Sequence, residues 1–202
     1  MAFSTRFDKA LSLAHALHRK QVRKGTRIPY VTHLMAVAAL VAENGGSETQ
    51  VIAALLHDAV EDQGGESTAR RILRLFGPRV HRIVMALSDS TTADPETKPP
   101  WRERKERYLE HLETMGPEVR LVSAADKLHN ARAIVADLRR VGMSAWERFK
   151  GGCEGSLWYY ESLVDILSRG WSNPLVADLA AEVARMKALS GRDATKGSRG
   201  RA

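Results

Sequence analysis

The fold of this chain is decided by the stretch Val51-Ile-Ala-Ala-Leu-Leu-His-Asp-Ala-Val-Glu-Asp62, a strongly apolar segment that gains four ionisable side chains within its last six residues. Its apolar first half is typical of a buried helix. If the helix continues, His57 and Glu61 lie one turn apart, and Asp58 borders the apolar face. Because burying ionisable groups without partners is costly, the segment predicts either a polar site inside the protein or an exposed helix end.

Helical spacing of apolar residues continues along almost the whole chain, whereas the alternation typical of strands is nearly absent. Phe7, Leu11 and Ala14, for example, share one helix face. The runs Ser47-Glu-Thr-Gln50 and Ser144-Ala-Trp-Glu147 fit the capping box of a helix start. These patterns predict an all-α fold of roughly nine helices, near 4–21, 32–43, 47–62, 67–76, 78–88, 100–115, 117–138, 144–169 and 173–189.

The composition is typical of a folded domain, since hydrophobic residues make up 44% and charged residues 27% of the 202 residues. We expect one domain over 1–189 and a flexible basic tail over 190–202. The tail carries three of the seven net positive charges, so the charge of the domain itself is modest. This distribution is typical of a protein with a phosphorylated small-molecule ligand, or with no particular charged ligand, rather than of a nucleic-acid-binding protein.

The single cysteine, Cys153, excludes an intramolecular disulfide and a cysteine-based zinc or iron–sulfur site. Such cysteine usage is typical of a reducing compartment. The N-terminus lacks an apolar signal core, and the longest uncharged apolar stretch, 28–42, is shorter than the roughly 20 residues that a membrane-spanning helix needs. We therefore expect a cytoplasmic protein with no membrane partner.

Predicted metal ligands come from three helices. A second apolar run, over 121–132, carries Asp126 followed one turn later by Asn130. His33 begins a third predicted helix, just after an expected N-cap at Thr32. Two imidazoles and two carboxylates suit a six-coordinate Mn²⁺, Fe²⁺ or Mg²⁺ with open positions for water better than a closed zinc site. The predicted ligands are His33, His57, Asp58 and Asp126.

The spacing of these ligands resembles the H…HD…D signature of the HD superfamily of metal-dependent phosphohydrolases. Longer motifs make the resemblance more specific, and the chain looks like the hydrolase domain of RelA/SpoT homologues, of the small alarmone hydrolase type. The similarity covers roughly 5–168 and is carried by the runs Arg23-Lys24-Gly25, Pro29-Tyr30-Val31-Thr32-His33, Ala54-Leu-Leu-His-Asp-Ala-Val-Glu-Asp62 and Ala125-Asp-Lys-Leu-His-Asn-Ala-Arg132.

This resemblance implies a single-domain HD-type helical bundle and Mn²⁺-dependent removal of the 3′-pyrophosphate from guanosine tetra- or pentaphosphate, which gives GDP or GTP and pyrophosphate. The four predicted ligands match the metal-binding positions of the family. The acidic pair Glu61 and Asp62 matches the residues of the hydrolytic step, and the sequence leaves open which of the two is the base. The residues implied to bind the substrate are Arg23, Lys24, Asn130, Lys150, Arg104 and Lys105.

Several alternatives follow from the residues and from departures from the family. Lys150 and the pair Arg104-Lys105 are equally compatible with solvated helix faces. Leu34 follows His33 where the family often has proline, and the loop 89–100 varies among relatives, which leaves substrate preference open. The alternative functions are an HD-family phosphatase acting on another nucleotide such as NADPH, and a helical protein that binds a nucleotide without turnover. The sequence makes no prediction about the oligomeric state.

Overall fold

Helices form the regular secondary structure of the computed structural model, which describes residues 2–88 and 99–197. In these ranges none of the helices combines the length and the apolar character needed to cross a membrane. The prediction of an all-α fold is confirmed. In chain order the helices are α1 (Thr5–Leu17), α2 (Val31–Glu43), α3 (Glu48–Leu56), α4 (Ala59–Asp62), α5 (Gly65–Leu87), α6 (Trp101–Thr114), α7 (Pro117–Val141), a 3₁₀ helix (Gly142–Arg148), α8 (Gly152–Ser168) and α9 (Pro174–Gly197).

The helix predicted over 47–62 is divided into α3 and α4 by a turn at His57 and Asp58. Its start is as predicted, because Ser47 and Gln50 form the capping box. Consecutive side chains on one continuous helix point about 100° apart. At Asp58 the backbone has φ −92° and ψ −4°, which lies outside ideal helical values and interrupts the regular helix between Leu56 and Ala59.

The first predicted helix, over 4–21, ends early, at Leu17. The residues that follow form a narrow turn, in which Val22 and Pro29 make an isolated antiparallel bridge. Gly25 allows the reversal because its φ is +71°, a value that other residues rarely adopt. The expected N-cap at Thr32 is wrong, because α2 already begins at Val31 and the Thr32 hydroxyl donates to the carbonyl of Pro29.

Glycine also marks the other helix boundaries. The α5 range consists of two helices that meet in a kink at Gly77, where φ is +82° and ψ is 176°, in agreement with the separate helices predicted near 67–76 and 78–88. The helix predicted over 144–169 is a 3₁₀ helix and α8, separated by a turn over 149–151, and α8 begins at Gly152, where φ is +59°. Ser144 is not a helix N-cap, since its hydroxyl donates to the carbonyl of Val141. Most of the predicted loop 89–100 lies outside the described residues.

The chain divides into two units, and the first comprises Met1–Pro100 and Thr114–Asp126. Helices α1, α2 and α5 pack against α3. All six residues of α3 from Val51 to Leu56 are at most 1% exposed. Full burial of one large aliphatic side chain contributes about 1.5–3 kcal/mol relative to exposure. The apolar residues of α3 therefore fix this helix, and the turn that follows it, within the first unit.

The second unit comprises Trp101–Glu113 and Lys127–Ala202, and in it α8 and α9 pack against each other and against the 3₁₀ helix. Ser190 of α9 is buried, and its hydroxyl accepts a hydrogen bond of 3.1 Å from the indole Nε1 of Trp146. Helix α9 continues to Gly197, beyond the predicted end near 189. Residues 198–202 lie outside the described part of the chain, so the flexibility expected of the tail stays a prediction.

Candidate metal centre

Three segments of the first unit bring the four predicted metal ligands together. His33 lies in the first turns of α2, His57 and Asp58 form the turn between α3 and α4, and Asp126 lies on α7. The closest pairs are His57 Nε2 with Asp58 Oδ2, at 2.9 Å, and His33 Nε2 with Asp126 Oδ1, at 3.2 Å. The two remaining imidazole–carboxylate pairs are each 3.6 Å apart. Nitrogen and oxygen atoms of all four side chains thus converge on one point.

The hydrogen bond of the His57 ring determines which of its nitrogens faces this point. Its Nδ1 lies 2.7 Å from the carbonyl oxygen of Ala54, which can only accept, so Nδ1 carries the proton. Nε2 is therefore the atom directed at the carboxylates. It is buried and makes no hydrogen bond, although Asp58 is close, so the two groups are not oriented toward each other as donor and acceptor. This is the arrangement expected of two ligands that share a cation.

The electrostatics of the cluster favour a positive charge at its centre. Burial alone would lower the pKa of His57, but the carboxylates of Asp58 and Asp126 outweigh burial and raise this pKa well above its usual range. Burial would likewise raise the pKa of Asp58, but the imidazoles of His57 and His33 hold it well below its usual value. Without a metal, a proton on His57 compensates the carboxylates, and a bound metal ion would displace this proton.

The donor set fits a divalent cation. His33, His57 and Asp58 each offer one ligand atom, and these atoms all lie within 4.8 Å of one another. Asp126 adds a second carboxylate at the same point. Imidazole nitrogens and carboxylate oxygens are suitable ligands for Mn²⁺ and Fe²⁺, and four protein ligands leave positions open in six-coordinate geometry. The Nε2 of His57 supports the same assignment, because it is buried, makes no hydrogen bond and faces the carboxylates of Asp58 and Asp126.

Tyr30 is the last residue of the 18–30 segment, which connects α1 to α2, and its side chain contacts the Asp58 carboxylate. Its hydroxyl donates a hydrogen bond of 2.6 Å to Asp58 Oδ2. Burial and the negative charge of Asp58 raise the pKa of Tyr30, so the phenol keeps its proton and remains a donor. The imidazole of His18 stacks on the Tyr30 ring, with 5.2 Å between the centroids. Tyr30 thus orients a predicted metal ligand and is itself held in place by packing.

We expect the Tyr30→Phe variant to bind a divalent metal more weakly, by about 10–100-fold, because partners that orient metal ligands contribute to affinity on this scale. The change removes only the hydroxyl that donates to Asp58. Calorimetric titration of the metal-free protein with Mn²⁺ measures the effect. The Tyr160→Phe variant, which removes a hydroxyl from α8, serves as the control. Equal Mn²⁺ affinity of Tyr30→Phe and the unmodified protein would contradict the role of Tyr30.

The predicted substrate-binding residues of the first unit, Arg23 and Lys24, lie in the turn that Val22 and Pro29 close. The guanidinium of Arg23 is 6.0 Å from the centroid of the Tyr30 ring, so one residue separates it from the ligand Asp58. Lys24 is exposed. The turn therefore places the Arg23 guanidinium next to the residue that contacts Asp58, and the roles of Arg23 and Lys24 in substrate binding stay predictions.

The acidic pair lies on α4, directly after the ligand turn. Glu61 is half-buried and Asp62 is exposed. The side-chain amide of Gln21 donates a hydrogen bond of 2.8 Å to Asp62 Oδ2. Sequence reasoning identified the acidic pair but missed Gln21, His18 and Tyr30. Their only sequence signal is polar or aromatic character beside the Arg23-Lys24 run, and this does not reveal which distant residue each one contacts.

The other predicted substrate-binding residues belong to the second unit, and their roles stay predictions. Asn130 is half-buried on α7, one turn after Asp126. Arg104 and Lys105 lie on α6, where the Lys105 Nζ is 4.9 Å from the ring centroid of Tyr159. Lys150 is exposed in the turn before α8.

Comparison with known proteins gives a consistent result. The model of the HD domain family matches residues 10–150. The guanosine-3′,5′-bis(diphosphate) 3′-pyrophosphohydrolase MESH1 of Xenopus tropicalis is 36% identical over 141 residues, which cover 68% of this chain and 72% of the relative. The Homo sapiens protein of the same name is 34% identical over 145 residues, covering 70% and 74% of the two chains.

Solved structures extend the similarity from the motifs to the fold. A metazoan SpoT orthologue that hydrolyses ppGpp superposes with a TM-score of 0.74 at 28% identity, over 94% of this chain and 99% of that one. A crystal structure of a Listeria monocytogenes protein gives a TM-score of 0.63 at 29% identity, over 75% and 96%. The predicted resemblance is confirmed, and the chain belongs to the HD-domain family, in which small MESH1-type proteins are its homologues.

Proposed function

We propose that this protein is a metal-dependent 3′-pyrophosphohydrolase that converts ppGpp to GDP and pppGpp to GTP, with release of pyrophosphate. The observation that carries the proposal is the convergence of two buried imidazoles and two carboxylates on one point, at distances of 2.9–3.6 Å. The activity for which the MESH1 relatives are named supports the choice of substrate. The proposed location is the cytoplasm.

The proposed metal is Mn²⁺, with Fe²⁺ or Mg²⁺ as the other candidates, and it would be held by His33, His57, Asp58 and Asp126. When bound, a divalent cation of this kind supplies Lewis-acid stabilisation of the charge that develops on a phosphoryl group during hydrolysis. The protein contributes the orientation of the ligands. The carbonyl oxygen of Ala54 accepts a hydrogen bond from His57 Nδ1, and the Tyr30 hydroxyl donates one to Asp58 Oδ2.

The acidic pair carries the proton transfer in this proposal. Glu61 and Asp62 follow the ligand Asp58 by about one helical turn, where a carboxylate can orient the attacking water and accept its proton. The water oxygen forms a new bond to the phosphorus attached to the ribose. The bond between this phosphorus and the 3′ oxygen breaks, and the leaving oxygen takes up a proton.

The substrate carries dense negative charge, and the proposal assigns its recognition mainly to cationic side chains. Arg23 and Lys24 bind phosphate groups from the turn beside the metal centre. Asn130 is proposed to contact the nucleotide. Arg104, Lys105 and Lys150 are proposed as further phosphate-binding cations.

A product assay on the purified protein tests the proposed function. We expect ppGpp to yield GDP and pyrophosphate in the presence of Mn²⁺, and a chelator to abolish the reaction until Mn²⁺ is restored, because the ligands lack a cation without it. NADPH and other phosphorylated nucleotides are assayed in parallel. Release of orthophosphate from NADPH without turnover of ppGpp would replace the proposal with an HD-family phosphatase. Binding of ppGpp without any product would replace it with a nucleotide-binding protein.

A further inference from the structure

The side-chain amide of Gln21 is at the centre of a hydrogen-bond network that reaches the acidic pair. Its Oε1 lies 2.6 Å from His18 Nδ1 and accepts a second hydrogen bond, also of 2.6 Å, from Gln63 Nε2. Its Nε2 donates a hydrogen bond of 2.8 Å to Asp62 Oδ2. These contacts join the 18–30 segment to α4 and to the residue that follows it.

The partners allow only one orientation of this amide. A carboxylate can only accept, so the NH₂ group of Gln21 must face Asp62. Gln63 donates through its own NH₂ group, so the oxygen of Gln21 must face Gln63. A rotated amide would place donor against donor and acceptor against acceptor. The network thus specifies the direction of the hydrogen bond that Asp62 receives.

His18 strengthens this specification from a buried position. Its side chain is 1% exposed, and burial lowers its pKa, so it is a neutral imidazole at neutral pH. Because Nδ1 faces an oxygen, the proton of the neutral ring lies on Nδ1. Stacking on Tyr30 fixes the plane of the ring. His18 therefore provides a rigid donor for Gln21.

Backbone hydrogen bonds, and not the Gln21 side chain, stabilise the conformation of the 18–30 segment. The Gln21 carbonyl accepts a 2.9 Å hydrogen bond from the amide of Tyr30, and the Gln21 amide donates a 3.0 Å hydrogen bond to the carbonyl of His18. The Arg23 amide donates to the carbonyl of Ile28 at 2.8 Å. A change of the Gln21 side chain leaves these bonds in place.

We propose that Gln21 is a positioning residue for the hydrolytic step: with its amide locked by His18 and Gln63, it fixes the orientation of the Asp62 carboxylate. The inference rests on the proposed function, in which Asp62 belongs to the acidic pair. Two residues of the 18–30 segment then orient carboxylates of the same site. Tyr30 orients the metal ligand Asp58, and Gln21 orients Asp62.

Two variants of Gln21 separate the hydrogen bond to Asp62 from the rest of the network. Gln21→Glu keeps an acceptor for His18 and Gln63 but replaces the donor facing Asp62 with a negatively charged oxygen. Gln21→Met removes all three side-chain hydrogen bonds at similar size. We expect kcat to fall by about 10–100-fold in Gln21→Met, as for other residues that orient a functional group, and further in Gln21→Glu. KM and Mn²⁺ content should stay unchanged in both, since the changes affect only the orientation of the Asp62 carboxylate.

A double-mutant cycle tests whether Gln21 acts through Asp62. In the Asp62→Asn background, Gln21→Met should lower kcat little further, because the carboxylate it orients is already gone. The control is Gln50→Met, which removes a half-buried glutamine from the capping box of α3 and should lower stability while kcat is kept. Additive effects of Gln21→Met and Asp62→Asn, or a rise in KM in place of a fall in kcat, would overturn the proposal.

A spectroscopic measurement tests the network without any activity. In ¹⁵N-labelled protein, we expect the side-chain amide protons of Gln21 to be shifted and slow to exchange, and Asp62→Ala to abolish both properties. Gln21 amide resonances that do not respond to Asp62→Ala would overturn the inference by themselves. If the unmodified protein does not hydrolyse ppGpp although the resonances respond, the proposed function fails and the contact between Gln21 and Asp62 remains.

Discussion

The Asp58→Ala variant is expected to lose bound metal and hydrolytic activity together. Asp58 Oδ2 lies within 2.9 and 3.6 Å of the two imidazole nitrogens, so its removal takes a negative oxygen from the point where the ligands converge. It also removes the acceptor of the Tyr30 hydroxyl. A catalytic metal contributes several kcal/mol to rate acceleration, and each 1.36 kcal/mol is tenfold, so kcat should fall by about 10³-fold or more.

Metal analysis and the ppGpp assay on the same preparation measure both effects. His57→Ala should give the same pair of losses, because it removes a predicted ligand, the imidazole whose Nε2 lies 2.9 Å from Asp58 Oδ2. The control is Asp178→Ala, which removes an exposed aspartate that pairs with Arg132 and should retain metal and activity. Circular dichroism establishes that each variant is folded. Wild-type turnover in either Asp58→Ala or His57→Ala would show that the ligand assignment is wrong.

The Glu61→Gln variant is expected to keep its metal and to lose turnover by about 10²–10⁴-fold, the usual contribution of a general base. Glutamine has nearly the size of glutamate, so the packing of the half-buried side chain is preserved. Its amide cannot take a proton from the attacking water. The four predicted ligands are untouched, which is why the metal content should not change.

Comparison with Asp62→Asn identifies which member of the acidic pair is the base. Both variants are assayed for kcat and for Mn²⁺ content at one pH. A larger loss in Glu61→Gln assigns proton acceptance to Glu61 and leaves Asp62 to orient the water or the substrate. Near-normal rates in Glu61→Gln together with a large loss in Asp62→Asn would transfer the role of the base to Asp62.

The sequence was sufficient to predict most of the helices and to single out four side chains that the structure brings together. Helical periodicity and capping motifs depend on residues a few positions apart, so they can be recognised locally, as for Ser47 and Gln50 at the start of α3. The four candidate ligands were recognisable because histidines and aspartates interrupt otherwise apolar runs. Asp126 illustrates this, since the α7 residues from Leu121 to Ala125 are at most 6% exposed.

The contacts that orient the ligands could not be predicted from the sequence. Tyr30 and Asp58 are 28 positions apart, and Gln21 and Asp62 are 41 apart. No local periodicity links such pairs, because they meet only in the folded chain. The turn at Asp58 was missed for a related reason. The spacing of apolar residues over 47–62 is that of one continuous helix. The interruption brings the side chains of His57 and Asp58 to the same point, and this depends on tertiary contacts.

The hydrogen bond between Trp146 and Ser190 limits how far the C-terminus can be shortened for crystallisation or expression. A chain cut before Ser190 would leave the Trp146 indole N–H, inside the protein, without its acceptor. An unsatisfied buried donor costs about 1–3 kcal/mol, which is a large share of the stability of a small protein. Shortened forms should therefore retain the first 17 residues of α9, from Pro174 to Ser190.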